Sequence, residues 1–384
     1  MVVTRAQSPA RYVFGPLAVP LVLAGLLIGP GSARASASAC ESWTGVQPPS
    51  PGTAQNQLIG VTVLSACDSW AVGFESSGGA NQTLIEHWNG SSWTVASSPD
   101  PGSTNNVLGG VRAVSPTNIW AVGYYSDGTG DKTLILHWNG TAWKQVPSPN
   151  PGTSNLLNGV RTVSSANAWA VGAYASGSAE KTLILHWNGT AWKQVASPNP
   201  GAGNDLISVA ATSASDAWAV GVYNSGGAEK TLILHWNGST WKQVASPNPG
   251  PRNDLDGVGA TSPANAWAVG FASNGSGDVT LVLHWNGTKW QRVPSPSPAT
   301  VAFLNGVTAT SASNAWAVGS YSNGAANQTL LLQWNGTKWK QVANPNPGSG
   351  DVLNGVAASS RSNAWVVGTF SNSTGNQALA LHCC

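Results

Sequence analysis

Short stretches with alternating apolar and polar residues follow one another along most of the chain, and Gly, Pro, Asn or Ser separates them. In the unit 157–201 they are residues 157–163, 168–174, 182–187 and 191–195. A period of two predicts β-strands, and Asn188-Gly189 predicts a tight hairpin between the third and fourth. Pro198 and Pro200 end the fourth strand because proline cannot donate a ladder hydrogen bond. The unit therefore predicts four antiparallel strands, with a loop at 175–180 between the second and third.

Tryptophan shows that this unit is repeated along the chain, since all 20 tryptophans fall on three of its positions. The second-strand set is Trp70, Trp120, Trp169, Trp218, Trp267, Trp316 and Trp365; the third-strand set is Trp88, Trp138, Trp187, Trp236, Trp285 and Trp334; the fourth-strand set is Trp43, Trp93, Trp143, Trp192, Trp241, Trp290 and Trp339. The spacing of 49 or 50 residues predicts a propeller or a solenoid.

The ends of the chain favour a closed propeller. Residues 40–384 accommodate seven units, but the seventh stops at Cys384, where its fourth strand should begin. The missing pattern lies at the other end, where segment 40–52 carries Trp43 and a Pro-Gly end. We therefore predict an all-β fold, a seven-bladed β-propeller of four-stranded antiparallel blades. Segment 40–52 pairs with 352–384 as the last blade and closes the ring, which also removes exposed sheet edges.

The first 39 residues are predicted to be a secretory signal peptide rather than part of the fold. Arg5 and Arg11 precede an apolar stretch, and small residues follow with possible cleavage after Ala35, Ala37 or Ala39. A lipoprotein signal ending at Cys40 is the alternative, while Pro16, Pro20 and Pro30 disfavour a transmembrane anchor. The domains are thus 1–39, the signal peptide, and 40–384, the propeller. The expected location is outside the cell, either secreted or associated with the cell surface.

The charge balance limits the kinds of partner. Without residues 1–39 the chain has 14 Lys and Arg against 15 Asp and Glu. It has neither a basic stripe for nucleic acid nor a polybasic cluster for lipid, so we expect no nucleic-acid partner and no membrane insertion after signal cleavage. We expect a monomer.

The four cysteines of a secreted chain favour disulfides over metal ligation. Cys383 occupies the third-strand tryptophan position of the last blade, and Cys40 falls at the Gly of its hairpin turn. A disulfide from Cys40 to Cys383 or Cys384 would join the two chain ends. Cys67 could pair with the remaining terminal cysteine, although the distance from inner to outer strands disfavours that bond.

The repeat resembles bacterial BNR-like and kelch-like propeller repeats in its pattern G-V-x-x-x-S-x-x-N-A-W-A-V-G followed by L-x-L-H-W-N-G-x-x-W. Segment 189–192 is similar to the end of the Asp-box turn of sialidase-type propellers, but Trp187 stands where an Asp-box has Asp. The resemblance covers the whole of 40–384 and implies the propeller fold, but it does not imply sialidase chemistry.

The repeated polar residues are interpreted as structural. The histidines precede the third-strand tryptophan, too far from the axis to share a metal ion, so each is expected to hydrogen-bond within its own blade. An Asn or Asp two residues before each second-strand tryptophan is expected to cap a turn. The tryptophans are expected to pack between blades, with the fourth-strand set partly exposed. No catalytic, metal or cofactor motif is recognisable, so we expect no cofactor, no metal site and no enzymatic activity.

Binding residues are expected where the repeats differ, on the variable loops 124–131 and 271–278. The candidates there are Asp127, Asp131, Asn274 and Asp278. Arg112 and Arg161, which follow the innermost Gly-Val in adjacent blades, could bind an anion. The sequence thus predicts a non-catalytic binding or scaffold module for a protein or a cell-envelope polysaccharide. The alternative is a lectin with repeated sites, or a hydrolase or lyase acting on glycans.

Overall fold

The computed structural model describes Cys40 and residues 42–384, and the predicted signal peptide lies outside the described residues. The described residues form 28 strands in seven separate four-stranded antiparallel sheets and contain no helix. The predicted seven-bladed propeller is confirmed. No described segment forms a helix long and apolar enough to cross a membrane.

Each blade runs from an innermost strand at the central channel to an outermost strand at the rim, and the blades are numbered 1 to 7 along the chain. The innermost strands are Gln55–Ser65, Asn105–Ser115, Asn155–Ser164, Asn204–Ser213, Asn253–Ser262, Ala302–Ser311 and Gly350–Ser360. The second strands are Asp68–Ser76, Asn118–Ser126, Asn167–Ser176, Asp216–Ser225, Asn265–Ser273, Asn314–Ser322 and Asn363–Asn372.

The outer half of each blade is a hairpin with one long and one very short strand. The third strands are Gln82–Trp88, Asp131–Trp138, Ala179–Trp187, Ala228–Trp236, Asp278–Trp285, Asn327–Trp334 and Gly375–Cys383. The outermost strands are Trp93–Val95, Trp143–Gln145, Trp192–Gln194, Trp241–Gln243, Trp290–Arg292, Trp339–Gln341 and, in blade 7, Thr44–Gly45.

The expected loop at 175–180 is mostly strand. The second strand of blade 3 continues to Ser176 and the third begins at Ala179, so only a two-residue turn separates them. Gly177 in that turn has φ +63°, a left-handed conformation that glycine adopts without steric cost. The ladder therefore extends over residues that composition alone assigns to a loop.

The N-terminal strand completes blade 7, as predicted. Thr44 pairs with His382 and Gly45 with Leu381, and the Val46 amide donates to the Ala380 carbonyl over 3.0 Å. A disulfide joins Cys40 to Cys383 with a Cα separation of 5.6 Å. The alternative of a lipoprotein signal would need the Cys40 sulfur atom for a lipid, but this atom is bonded to Cys383. The second bond, which the distance between inner and outer strands disfavours, does not form, since Cys67 and Cys384 are exposed free thiols.

Tryptophans fill the interface between neighbouring blades. The second-strand indole of one blade packs against the third- and fourth-strand indoles of the next; Trp218 lies 4.8 Å from Trp285 and 5.2 Å from Trp290 between ring centroids. The outermost-strand set is 4–5% exposed, so the expectation that this set is partly exposed is wrong. The third-strand indoles are half-buried instead, apart from Trp88, which is buried. Each of these six donates its Nε1–H to a carbonyl of the turn beside it.

The histidines have the structural role that was predicted. In each of the six blades that carry one, His Nε2 lies 2.7–3.2 Å from the Oδ1 of the Asn or Asp at the start of the second strand. Each ring also packs on the second-strand indole of its own blade, with centroids 4.1–4.3 Å apart. The repeated histidines are thus part of the blade core.

Glu86 breaks the repeat at the interface that closes the ring. The same third-strand position holds Leu136, Leu185, Leu234, Leu283, Leu332 and Leu381 in the other blades, all fully buried. The side chain of Glu86 is also fully buried, and neither carboxylate oxygen has a hydrogen-bond partner. Burial raises the pKa of Glu86 to about 8. Blade 1 therefore carries an uncompensated carboxyl where it packs on blade 7.

Glu86→Leu is expected to stabilise the protein by about 2–3 kcal/mol at pH 7, because it replaces an unpaired buried carboxyl with the residue of the other six blades. The folded pKa lies above that of the unfolded chain, so the wild type loses stability as the pH rises from about 4.5 to about 8. Each pH unit in that window costs about 1.4 kcal/mol, and the loss levels off above it. Denaturant unfolding at pH 5, 7 and 9 measures both effects. Equal pH dependence in wild type and variant would show that Glu86 is not the titrating group.

Candidate ligand site in the central channel

The seven innermost strands enclose a channel of about 470 Å³ along the propeller axis. Its wall includes the backbone of the repeated Gly-Val pairs, where neighbouring strands approach closely. A Cβ on Gly257 would lie 2.9 Å from the Gly306 Cα, so a side chain there would force two strands apart. A cavity of this volume falls within the range that proteins use for small ligands.

Amide side chains link neighbouring innermost strands around the lumen. Asn158, Asn305 and Asn354 occupy equivalent positions, and each Nδ2 donates over 2.8–2.9 Å to a leucine carbonyl of the next blade. Asp256 holds the same position in blade 5 and also lines the channel. A carboxylate has no hydrogen to donate to a carbonyl, whereas a protonated carboxyl does. The location of Asp256 therefore favours its neutral form.

Two further carboxyl groups lie close to Asp256. Burial, followed by the charges of Asp254 and Asp205, raises the pKa of Asp256 well above its ordinary value. Burial together with the charges of Glu180 and Asp254 raises the pKa of Asp205 to about 7, although Asn158 Nδ2 donates to Asp205 Oδ1 over 3.1 Å. Burial, with Glu229 nearby, raises the pKa of Asp254 to about 6. Among the described residues, no group of three or more His, Cys, Asp or Glu is arranged to hold a metal ion.

Arg112 and Arg161 line the channel from the adjacent blades 2 and 3. Arg161 donates from an Nη to the Ala211 carbonyl over 3.3 Å, and its buried Nε–H has no partner. Burial and the charge of Arg112 lower the pKa of Arg161 to about 9, and burial lowers that of Arg112. Two cations that repel each other in an enclosed space gain most from an anion between them, since guanidinium groups bind carboxylates and phosphates in a bidentate way.

The acidic and basic groups of the channel do not neutralise each other. Within 40 and 42–384 the ion pairs are Asp68 with His87, Asp216 with His235, and Arg252 with Glu229 and Asp278. The arginines lie in the second half of their innermost strands, and Asp205, Asp254 and Asp256 lie in the first half of theirs. The channel thus presents Arg112 and Arg161 in one region and the carboxyl group of Asp256 in another, with Asp205 and Asp254 close to Asp256 but outside the lining.

The structure brings together only two of the six residues predicted to bind a ligand, Arg112 and Arg161. Asp127 and Asp131 lie in blade 2, and Asn274 and Asp278 lie in blade 5, so they do not converge. All four have local partners: Asp127 with Thr129, Asp131 with Ser154, Asn274 with the Ser276 and Gly277 amides, and Asp278 with Arg252. Their role in binding stays a prediction.

Sequence reasoning missed Asp205, Asp254 and Asp256. Aligning the seven innermost strands would have found Asp256, the one carboxyl residue at the position of Asn158, Asn305 and Asn354. No comparable signal identified Asp205 or Asp254, because their proximity to Asp256 depends on packing between blades.

Comparison with known proteins shows the fold. No protein-family model matches the chain, and no curated protein matches it. Solved propeller structures are similar to this chain. The structure of YCF48 bound to D1 peptide has a TM-score of 0.57 at 15% identity, and the match covers 90% of this chain and 99% of that one. A polysaccharide lyase of family PL25, an ulvan lyase bound to -[GlcA(1-4)Rha3S]-, has a TM-score of 0.53 at 11% identity, covering 89% of this chain and 94% of its own.

A third similar structure is the GH74 xyloglucanase from Xanthomonas campestris, with a TM-score of 0.51 at 11% identity, covering 88% of this chain and 55% of that one. The chain is thus a seven-bladed propeller by fold, and its assignment to BNR-like or kelch-like repeats stays a prediction.

The expectation that the protein is not an enzyme is contradicted, because the structural neighbours with this architecture include a polysaccharide lyase and a xyloglucanase. Near-identical blades also argue against an active site, which needs unlike residues at one point, but this argument does not hold at the channel. The blades are alike in their tryptophan cores, but they differ at the channel. An arginine stands at the position of Arg112 and Arg161 in those two blades alone, and an aspartate stands at the position of Asp256 in blade 5 alone.

Proposed function

We propose that this protein binds an acidic polysaccharide in its central channel and cleaves it there. One observation carries the proposal: unlike charged side chains from four of the seven blades, 2 to 5, lie in or beside one cavity. In this proposal Arg112 and Arg161 hold a uronate or sulfate group. The free Oδ1 atoms of Asn305 and Asn354 accept hydrogen bonds from sugar hydroxyls.

Asp256 has the properties of a proton donor for glycosidic bond cleavage. It lines the cavity, has no hydrogen-bond partner among the described side chains, and has a raised pKa. A carboxyl kept neutral near pH 7 can give its proton to the oxygen that leaves the sugar, a step that hydrolases and lyases share. Asp205 and Asp254 do not line the cavity, and their charges, together with burial, help to keep the proton on Asp256.

The structural neighbours support a glycan ligand in part. One is a lyase bound to a glucuronate-containing sulfated polysaccharide and another is a xyloglucanase, while a third is bound to a peptide. The polar lumen favours the polysaccharide, because carboxyl, amide and guanidinium groups match sugar hydroxyls and acid groups.

Asp256→Asn is expected to lower glycan turnover at least about 100-fold and to leave oligosaccharide affinity within about twofold, because it removes the acidic proton and keeps the shape of the side chain. The substitution is structurally matched, since Asn stands at this position in blades 3, 6 and 7. The assays are reducing-end release and absorbance of unsaturated products on polyuronate and sulfated polysaccharides. Wild-type turnover should fall as the pH rises above the pKa of Asp256.

Asp100→Asn is the matched control, with the same chemical change at an exposed residue outside the channel, where blades 2 to 4 already carry Asn. It should leave turnover unchanged. Arg161→Gln should weaken binding of an acidic oligosaccharide about tenfold and that of a neutral one much less. Full turnover by Asp256→Asn would refute the proton-donor role, and equal affinities of Arg161→Gln and wild type would refute the anion site.

We also infer that the protein works outside the cell. The disulfide from Cys40 to Cys383 suits an oxidising compartment, and the sequence of residues 1–39 is typical of a secretory signal peptide.

A further inference from the structure

The outer hairpins of five consecutive blades carry a crescent of positive charge. The hairpins of blades 2 to 6 cover residues 139–145, 188–194, 237–243, 286–292 and 335–341. Their cations are Lys144, Lys193, Lys242, Lys289, Arg292, Lys338 and Lys340, all exposed. These hairpins contain no Asp or Glu, and none of their cations forms an ion pair in the described part of the chain. We call these seven residues the basic crescent.

The basic crescent is confined to the hairpins of blades 2 to 6. The corresponding hairpin of blade 1, residues 89–95, has no charged residue, and the outermost strand of blade 7 is Thr44–Gly45. The opposite end of the third strands has mixed charge, since Asp131, Glu180 and Glu229 are each followed by a lysine and Asp278 pairs with Arg252. The near-zero net charge of the chain therefore conceals one basic face, which the expectation of no basic stripe missed, opposite a face of mixed charge.

Half-buried indoles lie next to these cations. Trp138, Trp187, Trp236, Trp285 and Trp334 end the third strands, directly before the five hairpins. Each indole donates its Nε1–H to a backbone carbonyl of the neighbouring turn, which fixes the ring. The accessible part of each ring is an apolar surface beside the cations of the crescent. An acidic sugar chain can contact both kinds of surface, since its apolar C–H groups alternate with polar and acidic substituents.

We propose that the basic crescent docks a long acidic polysaccharide across blades 2 to 6, a surface separate from the channel. Opposite charge selects the polymer, and five equivalent hairpins allow one chain to make many weak contacts at once. Each exposed charge contributes little by itself, so affinity should grow with polymer length and fall as salt is added.

An anionic membrane fits this surface less well. A stable membrane contact needs an apolar or lipid anchor in addition to basic residues. The large hydrophobic side chains that are exposed in the described residues are Val95 and Val114, and neither lies in the five hairpins. The crescent has charge without an inserting group, which favours a hydrated polymer.

The test compares two triple variants that change the net charge equally in the same three blades. Lys144→Gln, Lys193→Gln and Lys242→Gln neutralise the crescent in blades 2 to 4. Lys132→Gln, Lys181→Gln and Lys230→Gln neutralise lysines at the other end of the same third strands, on the opposite face. Binding of the mature protein to immobilised polygalacturonate is measured at increasing salt, with neutral dextran as the second ligand and vesicles containing anionic lipid as the third.

The crescent variant should bind polygalacturonate about tenfold more weakly at low salt, with a shallower salt dependence, while the opposite-face variant binds like wild type. Neither protein should bind dextran or the vesicles strongly. Equal weakening by both variants would overturn the proposal, because it would show a dependence on net charge alone. Crescent-dependent binding to vesicles but not to polygalacturonate would overturn it in favour of a membrane. In an Arg161→Gln background the three crescent substitutions should still weaken polygalacturonate binding about tenfold, so failure at the channel and failure at the crescent are distinguishable.

Discussion

Removal of segment 40–52 is expected to unfold the propeller at physiological temperature. The truncation exposes the third strand of blade 7, deletes Trp43 from its contact with Trp316, whose ring centroid lies 5.2 Å away, and removes the Cys40–Cys383 disulfide. The disulfide alone closes a loop with a sequence separation of 343, for which the chain-entropy model gives about 5–6 kcal/mol. Circular dichroism during heating measures the loss.

The disulfide and the strand can be separated experimentally. Replacing both Cys40 and Cys383 by serine should lower the midpoint strongly while the N-terminal strand remains, and the truncation should lower it further. Cys67→Ser, which changes an exposed free thiol, is the matched control and should have almost no effect. If the truncated protein melts at the temperature of the full mature chain, the ring does not depend on this closure.

Trp218→Ala is expected to cost about 3–5 kcal/mol, the range for truncating a buried aromatic residue in a core. The indole is fully buried and packs on His235, Trp285 and Trp290, so its loss opens a cavity in the interface between blades 4 and 5. Urea unfolding monitored by circular dichroism gives the change in free energy, provided that the transition remains two-state.

Two substitutions test whether burial or residue type sets this cost. Trp169→Ala removes the equivalent residue of blade 3, with nearly the same ring distances, and should cost about as much. Trp236→Ala removes a half-buried indole of blade 4 and should cost less. A larger loss for Trp236→Ala than for Trp218→Ala would contradict the packing described for the interface.

The repeat determines most of what the sequence predicts correctly. The 49-residue tryptophan spacing sets the blade number, and the incomplete last unit locates the closing strand. The hairpin positions of the terminal cysteines lead to a disulfide from Cys40 to Cys383 or Cys384, of which the structure has the first. The exposed fraction of the tryptophans was harder to predict, because the outermost-strand indole packs against the second-strand indole of the preceding blade, as Trp192 does on Trp120. Trp192 is buried although its strand lies at the rim.

The channel could be predicted only in part because its chemistry comes from several blades at once. Arg112 and Arg161 were recognisable as neighbours from their equivalent positions in adjacent units. Asp205 and Asp254 gain their raised pKa values from burial and from charges on other strands, which one blade does not show. Glu86 was visible as an exception among leucines, but its lack of partners follows from the packing of blade 1 on blade 7.

The most direct test of the proposed function is a crystal structure of the Asp256→Asn variant with an acidic oligosaccharide, such as a uronate tetrasaccharide. The variant should bind the ligand without cleaving it. We expect the sugar in the channel, with an acid group between Arg112 and Arg161 and a glycosidic oxygen within hydrogen-bonding distance of residue 256. An oligosaccharide bound only on loops 124–131 or 271–278, with an empty channel, would contradict the assignment of the site.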